Sequence, residues 1–428
     1  MTSNLTRRAV TAGLGAAMAM PWIAKSRAFT GKPITIGMPS AQTSAAGVAD
    51  HLDFTQGSTL AVEEINAAGG IMGRELKLFM VDIDVLSPES SKQAIAACVD
   101  AQVDAISFAF TLVPIPAIDA SSKYKCPLLY GNAQRAGTEA VKKNPQKFSH
   151  VFQTAPSEVN YGWTYPLWLE HEEKLGVWKP KNRKVHIIQE QVAYCQTISK
   201  AAQEAIKKRG KFEVARVTDI QFPVQDWSPV IREMKDVDAG AIMVDHWVAA
   251  EYAAFCKQFV ADPVPNSLVY LQYGPSQPEF LTLAGNSANG FAWSTTAGLY
   301  ADEKGKAFGD KYKKRFPGIM GLTYPGLAYD HTYYLKKAWE AVGDPRKFKD
   351  VSDWIRANPQ RGVTGFLDMN NAYQEAFHFP NNGGDDIQVS ELEKGMAQLY
   401  FQVQDKDHKL IFPSEVSEAK LKPAPWWT

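Results

Sequence analysis

Cysteine and histidine are the side chains here that could supply a nucleophile, a base or a metal ligand, and their spacing limits that chemistry. A thiol becomes reactive beside a base or cation that favours the thiolate, and nothing near Cys195 in the sequence supplies one. His246 has no second histidine nearby, so we interpret it as a polar residue rather than a metal ligand. The cysteines form no CxxC pair and no zinc-like pattern. We predict free, buried thiols and leave a Cys98–Cys126 disulfide open.

The glycine-rich and acidic segments match no catalytic or cofactor motif. The chain contains no GxSxG, HExxH or GxxxxGK[ST] sequence. Gly69, Gly70 and Gly73 follow a predicted helix rather than a strand, which excludes a dinucleotide-binding turn. Residues 381–386, NNGGDD, lack the alternating ligands of a calcium loop and predict a solvated turn. We therefore predict a protein that is not an enzyme and has neither cofactor nor metal, with an exported enzyme on a doubly wound α/β fold as the alternative.

Residues 1–28 have the composition of an export signal. The paired arginines Arg7 and Arg8 precede an apolar run rich in Ala and Gly, and Ser26-Arg27-Ala28 ends in a small residue. Paired arginines are typical of a twin-arginine signal. The apolar run is shorter than the ~20 residues that span a bilayer, and no Cys follows it for lipid attachment. We expect an exported periplasmic protein.

Length and charge narrow the class further. The full chain has 46 Lys and Arg against 46 Asp and Glu, and removing the predicted signal leaves a small acidic excess. Nucleic-acid binding relies on concentrated Lys and Arg, so nucleic acid is not a predicted partner. About 400 residues would remain, which is too many for a single core and fits two lobes.

The candidate residues must be positioned by a repeated strand–helix–strand pattern. In the first unit the apolar runs Ile34–Met38 and Leu76–Asp84 flank a helix-like segment, His51–Ala68. A second series of the same kind begins at Val185. Such alternation predicts parallel sheets with helices on both faces, and ligands of such sheets bind in the loops beyond the carboxyl ends of the strands.

The segment Ile65–Leu76, INAAGGIMGREL, is more specific than an ordinary unit. A helix ending in EEINAAGGI, a turn MGR and a strand running into VDID resemble the first unit of the type I periplasmic binding proteins, the leucine/isoleucine/valine-binding branch that feeds ABC importers. The resemblance implies an α/β fold with two doubly wound parallel-sheet lobes joined by a three-strand hinge. We predict lobe 1 at 33–154 plus 294–358, lobe 2 at 155–293 plus 359–415, and a C-terminal tail at 416–428.

The resemblance also implies a function. Proteins of this kind capture a small molecule by closing two lobes around it, and then dock on an ABC permease in the inner membrane. We expect a monomer. A periplasmic ligand sensor with the same fold is not distinguished from a transport protein by the sequence.

In lobe 1 the resemblance places ligand-binding residues in two strand-end loops. Thr111 aligns with a hydroxyl that grips the ligand's carboxylate; capping of the following helix is a compatible interpretation. Ala133 lies in a loop whose backbone contacts the ligand's amino-acid group. Arg135 stands at or beside a hydroxyl position of the family. It would pair bidentately with a carboxylate, or alternatively form an ion pair with Glu139.

Aromatic residues complete the site that the resemblance implies. Tyr194 matches a tyrosine that closes over the ligand, Trp247 an aromatic after a lobe 2 strand, and Tyr324 an aromatic at a helix start in lobe 1. The first loop adds Gln42 and Asp50 as polar candidates.

Tyr273 is the main departure from the family pattern. Amino-acid binders of this branch have a Glu at the matching place, which pairs with the ligand's ammonium. A buried ammonium without a counter-charge is costly, so the ligand is not an ordinary α-amino acid unless Asp245 or Asp50 replaces that Glu. An aromatic pocket with hydroxyl tips suits a flat or apolar molecule. We predict a small organic acid, an aromatic one included, or an amide; the alternative is a branched-chain or other amino acid.

Overall fold

The computed structural model describes residues 29–428, and the predicted export signal, residues 1–28, lies outside this range. The strands are β1 (Ile34–Ser40), β2 (Leu76–Asp82), β3 (Ala105–Phe108), β4 (Leu128–Tyr130), β5 (Val151–Gln153), β6 (Lys184–Glu190), β7 (Glu213–Ile220), β8 (Ala241–Asp245), β9 (Leu268–Gln272), β10 (Ala292–Thr295), β11 (Gln360–Arg361), β12 (Phe366–Leu367), β13 (His378–Phe379), β14 (Met396–Ala397), β15 (Leu399–Gln404) and β16 (Asp407–Phe412). The helices are α1 (Val48–Ala67), α2 (Pro88–Asp100), α3 (Pro114–Ser121), α4 (Arg135–Lys143), α5 (Val159–Leu175), α6 (Ala193–Arg209), α7 (Ser228–Val237), α8 (Ala249–Ala261), α9 (Phe280–Ala284), α10 (Glu303–Arg315), α11 (Tyr324–Val342) and α12 (Phe348–Ala357).

The first sheet has five parallel strands in the order β2-β1-β3-β4-β5. Helices α1 and α11 pack closely against each other, because Gly57 leaves room: a Cβ there would lie 2.1 Å from the carbonyl oxygen of Pro325. His331 of α11 hydrogen-bonds with Ser107 at 2.9 Å and with Thr154 at 2.6 Å. These buried bonds attach α11 to the sheet although it is distant in sequence.

Glycines turn α1 into β2, as the opening segment predicts. Gly69, Gly70 and Gly73 have φ values of 104°, 75° and 76°, a region that side chains with a Cβ rarely adopt. A Cβ on Gly70 would also lie 2.0 Å from the carbonyl oxygen of Arg74. The predicted strand–helix–strand opening is therefore confirmed.

The second sheet has seven strands in the order β16-β15-β10-β9-β8-β6-β7. Its strands β6 to β10 are parallel, but β15 runs antiparallel to β10, and β16 antiparallel to β15. The sequence analysis expected parallel sheets and missed this hairpin. Its two turn residues, Asp405 and Lys406, have φ values of 54° and 65°, which is the geometry of a tight two-residue hairpin turn. A turn of this length joins only antiparallel strands.

The chain passes between the two sheets three times, after β5, after β10 and after α12. The third passage runs beside the first: the amide of Ala376 donates to the carbonyl of Gln153, and the amide of Gln153 donates to the carbonyl of Gln374, both at 2.9 Å. This arrangement agrees with the three-strand hinge of the predicted fold. The residue boundaries given above for the two lobes stay a prediction.

The C-terminal segment packs against the second lobe. Both Trp426 and Trp427 donate an indole N–H to the carbonyl of Ser267 at 2.8 Å. The ring of Trp426 is buried against Phe259 and Phe291, with centroids 5.1 and 4.7 Å away. The last residues therefore complete the core of this lobe.

The cysteines are all free and buried, so the disulfide left open above does not form. Within residues 29–428 no helix combines the length and apolar character needed to cross a membrane. In the same range, no group of three or more His, Cys, Asp or Glu side chains is arranged to hold a metal ion.

Candidate functional site

A cavity lies between the two lobes, where the carboxyl ends of their strands face each other. The volume that the centres of water molecules could occupy in it is about 50 Å³. One water needs about 10–15 Å³ of such volume, so the cavity has room for several waters or for a small ligand. Both lobes and the segments that join them contribute to its walls. The lining residues are Phe110, Leu112, Gly131, Asn132, Ala133, Gln134, Ala155, Tyr161, Tyr194, Trp247, Tyr273, Thr295, Thr296, Ala297, Thr323 and Tyr324.

Aromatic rings from both lobes form much of the wall. Tyr324 of α11 stacks on Phe110, with centroids 5.5 Å apart, and meets Tyr273 of the opposite lobe edge-on at 6.4 Å. Offset-stacked and edge-on pairs are the favourable arrangements of aromatic rings. The contact between Tyr273 and Tyr324 joins the two lobes, which are therefore closed over the cavity.

Two tyrosine hydroxyls are fixed by hydrogen bonds behind this wall. The hydroxyl of Tyr161 accepts from the amide of Thr296 at 3.2 Å. The hydroxyl of Tyr194 accepts from Nε2 of Gln272 at 2.9 Å. Each hydroxyl keeps its own proton for donation, so both can bind an acceptor atom.

Tyr273 has a strained backbone. It follows β9 directly with φ 53° and ψ −57°, which is the geometry of the rare classic γ-turn and is unfavourable for a residue with a Cβ. The next residue, Gly274, has no room for a side chain, because a Cβ would lie 2.5 Å from the ring of Tyr252. Strain of this kind is concentrated at binding and catalytic sites, which favours a functional role for the Tyr273 side chain.

The cavity wall contains an indole N–H without a hydrogen-bond partner. Nε1 of Trp247 is buried and unpartnered among the described residues, and so is the hydroxyl of Tyr273, although Asp50 and Ser276 lie beside it. An indole N–H can only donate, and buried donors are nearly always hydrogen-bonded. Of the buried indoles without a partner in residues 29–428, which include those of Trp178, Trp227 and Trp339, the indole of Trp247 is the one in the cavity wall, where a ligand's acceptor atom can reach it.

The residues that line the cavity are all uncharged. Asp245, at the end of β8, is fully buried and does not line it. Its carboxyl oxygens complete no hydrogen bond within residues 29–428, and burial raises its pKa well above the usual value. Burial thus disfavours the charged form of Asp245, which would be needed as a counter-charge for an ammonium group.

The structure brings some of the predicted residues together at this cavity and places others elsewhere. The five that line it are Ala133, Tyr194, Trp247, Tyr273 and Tyr324. The four that do not are Gln42, Asp50, Thr111 and Arg135. Direct ligand contact by the first five stays a prediction.

The hydroxyl of Thr111 is fully buried behind the cavity wall. It hydrogen-bonds with Ser91 at 2.7 Å and with the carbonyl of Val85 at 3.4 Å. Gln42 lies in the exposed first loop, where its backbone amide donates to Asp82 at 2.8 Å. Both residues support the loops of lobe 1 rather than line the cavity.

Arg135 points away from the cavity into a cluster of acidic and aromatic groups. Its guanidinium lies 2.7 Å from Asp385 and 3.7 Å from Glu375, and 4.7 Å from the ring centre of Tyr373. Glu375 is fully buried and Arg135 is 13% exposed. The acidic partners of Arg135 in the structure are thus Asp385 and Glu375 rather than Glu139, and the residue connects α4 with the third passage of the chain between the lobes.

Asp50 lies behind Tyr273, in contact with the opposite lobe. Its carboxylate accepts from Nε2 of Gln277 at 2.7 Å. Burial is the main reason that the pKa of Asp50 rises to about 8, since the hydrogen bond from Gln277 and the nearby hydroxyl of Tyr273 only partly oppose it. Asp50 is therefore neutral at pH 7 in this closed arrangement.

The amide side chains in the cavity wall were missed by the sequence analysis. Asn132 donates to the carbonyl of Thr111 at 2.6 Å and to Oε1 of Gln134 at 2.7 Å. Gln134 in turn donates to the carbonyl of Leu112 at 3.0 Å. These bonds join the loops after β3 and β4. No local signal identifies these bonds, because their backbone acceptors are 21 and 22 positions away in the chain.

His246 positions the loop that presents Trp247. Its Nδ1 lies 2.6 Å from Glu190 and its Nε2 lies 3.0 Å from Glu251. Burial by itself would lower the pKa of His246, but the hydrogen bonds to these two carboxylates outweigh that effect and raise it. His246 therefore lies between two acids that favour its protonated form, a role that its sequence context did not predict.

Solved structures share this architecture. A protein from Silicibacter pomeroyi, named as a branched-chain amino acid ABC transporter, aligns with a TM-score of 0.84 and 28% identity over 92% of this chain and 100% of its own. The branched-chain amino acid transporter substrate-binding protein LivJ from Streptococcus pneumoniae, in complex with isoleucine, aligns with a TM-score of 0.68 and 19% identity. The alignment covers 89% of this chain and 100% of LivJ. A solute-binding protein from R. palustris, in complex with benzoate, aligns with a TM-score of 0.67 and 15% identity. The alignment covers 91% of this chain and 100% of that protein.

The sequence itself matches one family over most of its length. The Periplasmic binding protein family covers residues 33–382, whereas no curated protein matches significantly. Members of this family are periplasmic or extracellular, bind small molecules and serve ABC transporters. The resemblance predicted from residues 65–76 is confirmed, and the chain belongs to the periplasmic binding protein family.

Proposed function

We propose that this solute-binding protein captures a small organic acid or amide by closing its two lobes, and delivers it to an ABC permease in the inner membrane. The observation that carries the proposal is the closed aromatic cavity, with the unpartnered indole N–H of Trp247 in its wall. Aromatic walls favour a flat or apolar body, and the indole favours a ligand with a carbonyl or carboxylate oxygen.

An amide fits this cavity better than a carboxylate. Arg135, a candidate partner for a carboxylate, is engaged with Asp385 and Glu375 instead, and the lining contains no cation. Burying an unpaired charge is far more costly than burying a hydrogen-bonded amide. The relative from R. palustris binds benzoate. In the present cavity, a bound carboxylate would be stabilised only by hydrogen bonds from uncharged donors.

A free α-amino acid is the less favoured alternative. The relative from Streptococcus pneumoniae binds isoleucine, but in this chain the lining offers no acidic side chain for an ammonium group. Asp245 and Asp50, the two acids that could replace the missing Glu, do not line the cavity. Burial raises the pKa of both, to about 8 for Asp50, which disfavours the charged form that an ammonium would need.

The remaining parts of the proposal follow from the sequence. We infer export by the twin-arginine-type signal in residues 1–28, action as a monomer, and no catalytic activity. The thiols, which could be nucleophiles, are buried and have pKa values raised by burial, which opposes reactivity. A receptor in place of the permease would make the same protein a sensor, and genetic deletion of the permease distinguishes the two by its effect on uptake.

The ligand is identified by mass spectrometry of the compound released from natively purified protein. Calorimetry then compares matched pairs such as benzamide with benzoate and isobutyramide with isobutyrate, and includes leucine. We expect the amide of a pair to bind more tightly than the acid. Recovery of leucine or another free α-amino acid, or detectable turnover of a bound compound, would contradict the proposal.

Replacement of the indole tests the observation directly. Trp247→Phe keeps an aromatic ring and removes the N–H, so we expect a two- to tenfold loss of affinity for the recovered compound, on the scale of about 0.5–1.5 kcal/mol for one neutral hydrogen bond. Trp178→Phe is the matched control, because Nε1 of Trp178 is also buried and unpartnered but does not line the cavity. Equal affinities of the two variants would remove the argument for an acceptor atom at Trp247.

A further inference from the structure

Three carboxyl groups meet where α1 of lobe 1 faces the loop that follows β9 in lobe 2. Asp50 and Asp53 come from α1, and Glu279 comes from the loop. The contact is anchored by Gln277, whose Nε2 donates to Asp50 at 2.7 Å while its Oε1 accepts from the amide of Ala249 at 2.8 Å. The hydrogen bond between Asp50 and Gln277 therefore joins one lobe to the other.

No cation faces this cluster within residues 29–428. The groups around Asp50 are Gln277, Tyr273 and Glu279 from lobe 2, and Asp53 and Tyr324 from lobe 1. The neighbouring His51 is neutral, because burial lowers its pKa to about 3. A buried carboxylate among other acids is unfavourable unless it gains a proton.

The two aspartates of α1 differ in how their charge is supported. Asp53 accepts from the hydroxyl of Tyr312 at 2.6 Å and from the amide of Gly321 at 2.9 Å. Asp50 accepts a hydrogen bond from Gln277 alone within residues 29–428 and is 3% exposed. Of the two aspartates, Asp50 therefore binds a proton more tightly in the closed arrangement.

We propose that closure of the lobes takes up a proton on Asp50, so that the closed form is a proton-binding form. This inference rests on the hinge closure of the proposed function. When the lobes separate, Gln277, Tyr273 and Glu279 leave Asp50, which water then solvates. The carboxyl loses its proton to solvent on opening and regains it on closing.

The direction of the pH dependence follows from the shift. The pKa of Asp50 is raised to about 8 when the lobes are closed, from an ordinary value of 3.8. If the pKa of a group is higher in one state, protonation stabilises that state. The stabilisation is complete when the pH is below the ordinary pKa, and it is lost as the pH rises to the raised pKa. The closing equilibrium should therefore weaken between about pH 4 and pH 8, by as much as about tenfold per pH unit.

The test measures closure without any solute. Spin or fluorescent labels are placed through Lys92→Cys in α2 and Lys200→Cys in α6, both exposed and one in each lobe, and the distance between them is followed from pH 8 to pH 5. We expect the closed fraction to increase as the pH falls. Asp50→Asn keeps an acceptor for Gln277 and cannot ionise, so its closed fraction should not depend on pH and should match the low-pH value of the labelled parent.

Glu172→Gln is the matched control. Glu172 is a fully buried carboxyl of α5 within lobe 2, hydrogen-bonded to Trp168 at 3.0 Å, and burial raises its pKa to about 7. It is not at the contact between the lobes, so this variant should keep the pH dependence. A pH-independent closed fraction in the parent, or the same dependence in Asp50→Asn as in the parent, would overturn the proposal. Because no solute is present, either result leaves the proposed ligand class unaffected, and failure to bind an amide leaves this proposal unaffected.

Discussion

Replacing Arg135 separates a role in ligand binding from a role in stability. The sequence leaves open contact with a ligand carboxylate or an ion pair with Glu139, whereas the structure shows the guanidinium in an ion pair with Asp385 and near the buried Glu375. Arg135→Met removes the charge and keeps a long apolar side chain over the ring of Tyr373. We expect a loss of stability without a loss of affinity for the solute.

The magnitude follows from the burial of the partners. Removing one member of a buried ion pair costs about 3–5 kcal/mol, since the other charge stays buried without compensation. Glu375 is 0% exposed, but Arg135 and Asp385 keep 13% and 17% of their side-chain surface exposed, so we expect the lower end, about 3 kcal/mol. With about 2.1 cal/mol/K of unfolding entropy per residue and about 400 described residues, this corresponds to a decrease in Tm of about 4 °C.

Differential scanning calorimetry and ligand titration provide the two measurements. Glu375→Gln is the partner variant, because its amide can still accept one of the bonds that Ser157 donates at 2.6 and 2.7 Å. The double variant should be more stable than Arg135→Met alone, since it leaves no unpaired charge on residue 375. An unchanged Tm together with a tenfold weaker binding of a carboxylate would refute this reasoning and restore the ligand role.

Two further predictions concern buried titratable groups. The pKa of His246 is raised in the folded protein, so its stabilising effect is complete below about pH 6.5, its ordinary pKa, and is lost as the pH rises through the raised value. His246→Gln should therefore lower the Tm more at pH 6 than at pH 10, and an equal loss at both pH values would contradict a charged histidine. A thiol reagent at pH 8 should modify no cysteine in the native protein and all of them in guanidinium, because burial raises the pKa of each thiol. The thiols are Cys98, Cys126, Cys195 and Cys256.

The aromatic part of the site was predictable because strand ends determine it. Trp247 and Tyr273 directly follow apolar runs that alternate with helices, and the carboxyl ends of parallel strands meet at one edge of a sheet. Chain order and strand ends place these loops at the cavity, and the family resemblance singled out Trp247 and Tyr273 within them. The antiparallel hairpin β15–β16 was not predictable in the same way, because the residues of its turn, Asp405 and Lys406, are not the usual ones of a tight hairpin.

The direction of a polar side chain depends instead on partners that are distant in sequence. Arg135 is the first residue of α4, close to the cavity, but its guanidinium is oriented by a hydrogen bond to Asp385, which is 250 positions away in the chain. The hydroxyl of Thr111 is likewise oriented by its hydrogen bond with Ser91, 20 positions away. A local alignment predicts where the backbone of such a residue lies. It does not reveal the distant acid or hydroxyl that binds the side chain in place of the ligand.

Asp50 shows why this distinction matters for function. The sequence predicts it as a polar residue of the ligand site, and the structure places it behind Tyr273, outside the cavity lining. The family resemblance aligns Tyr273 with a Glu of amino-acid binders. Tyr273 therefore removes a charge from the cavity and, with Gln277, covers another acid when the lobes close. An uncharged cavity and a proton held by the closed lobes are two consequences of the same contact, so Tyr273→Glu should alter both the preferred solute and the pH dependence of closure.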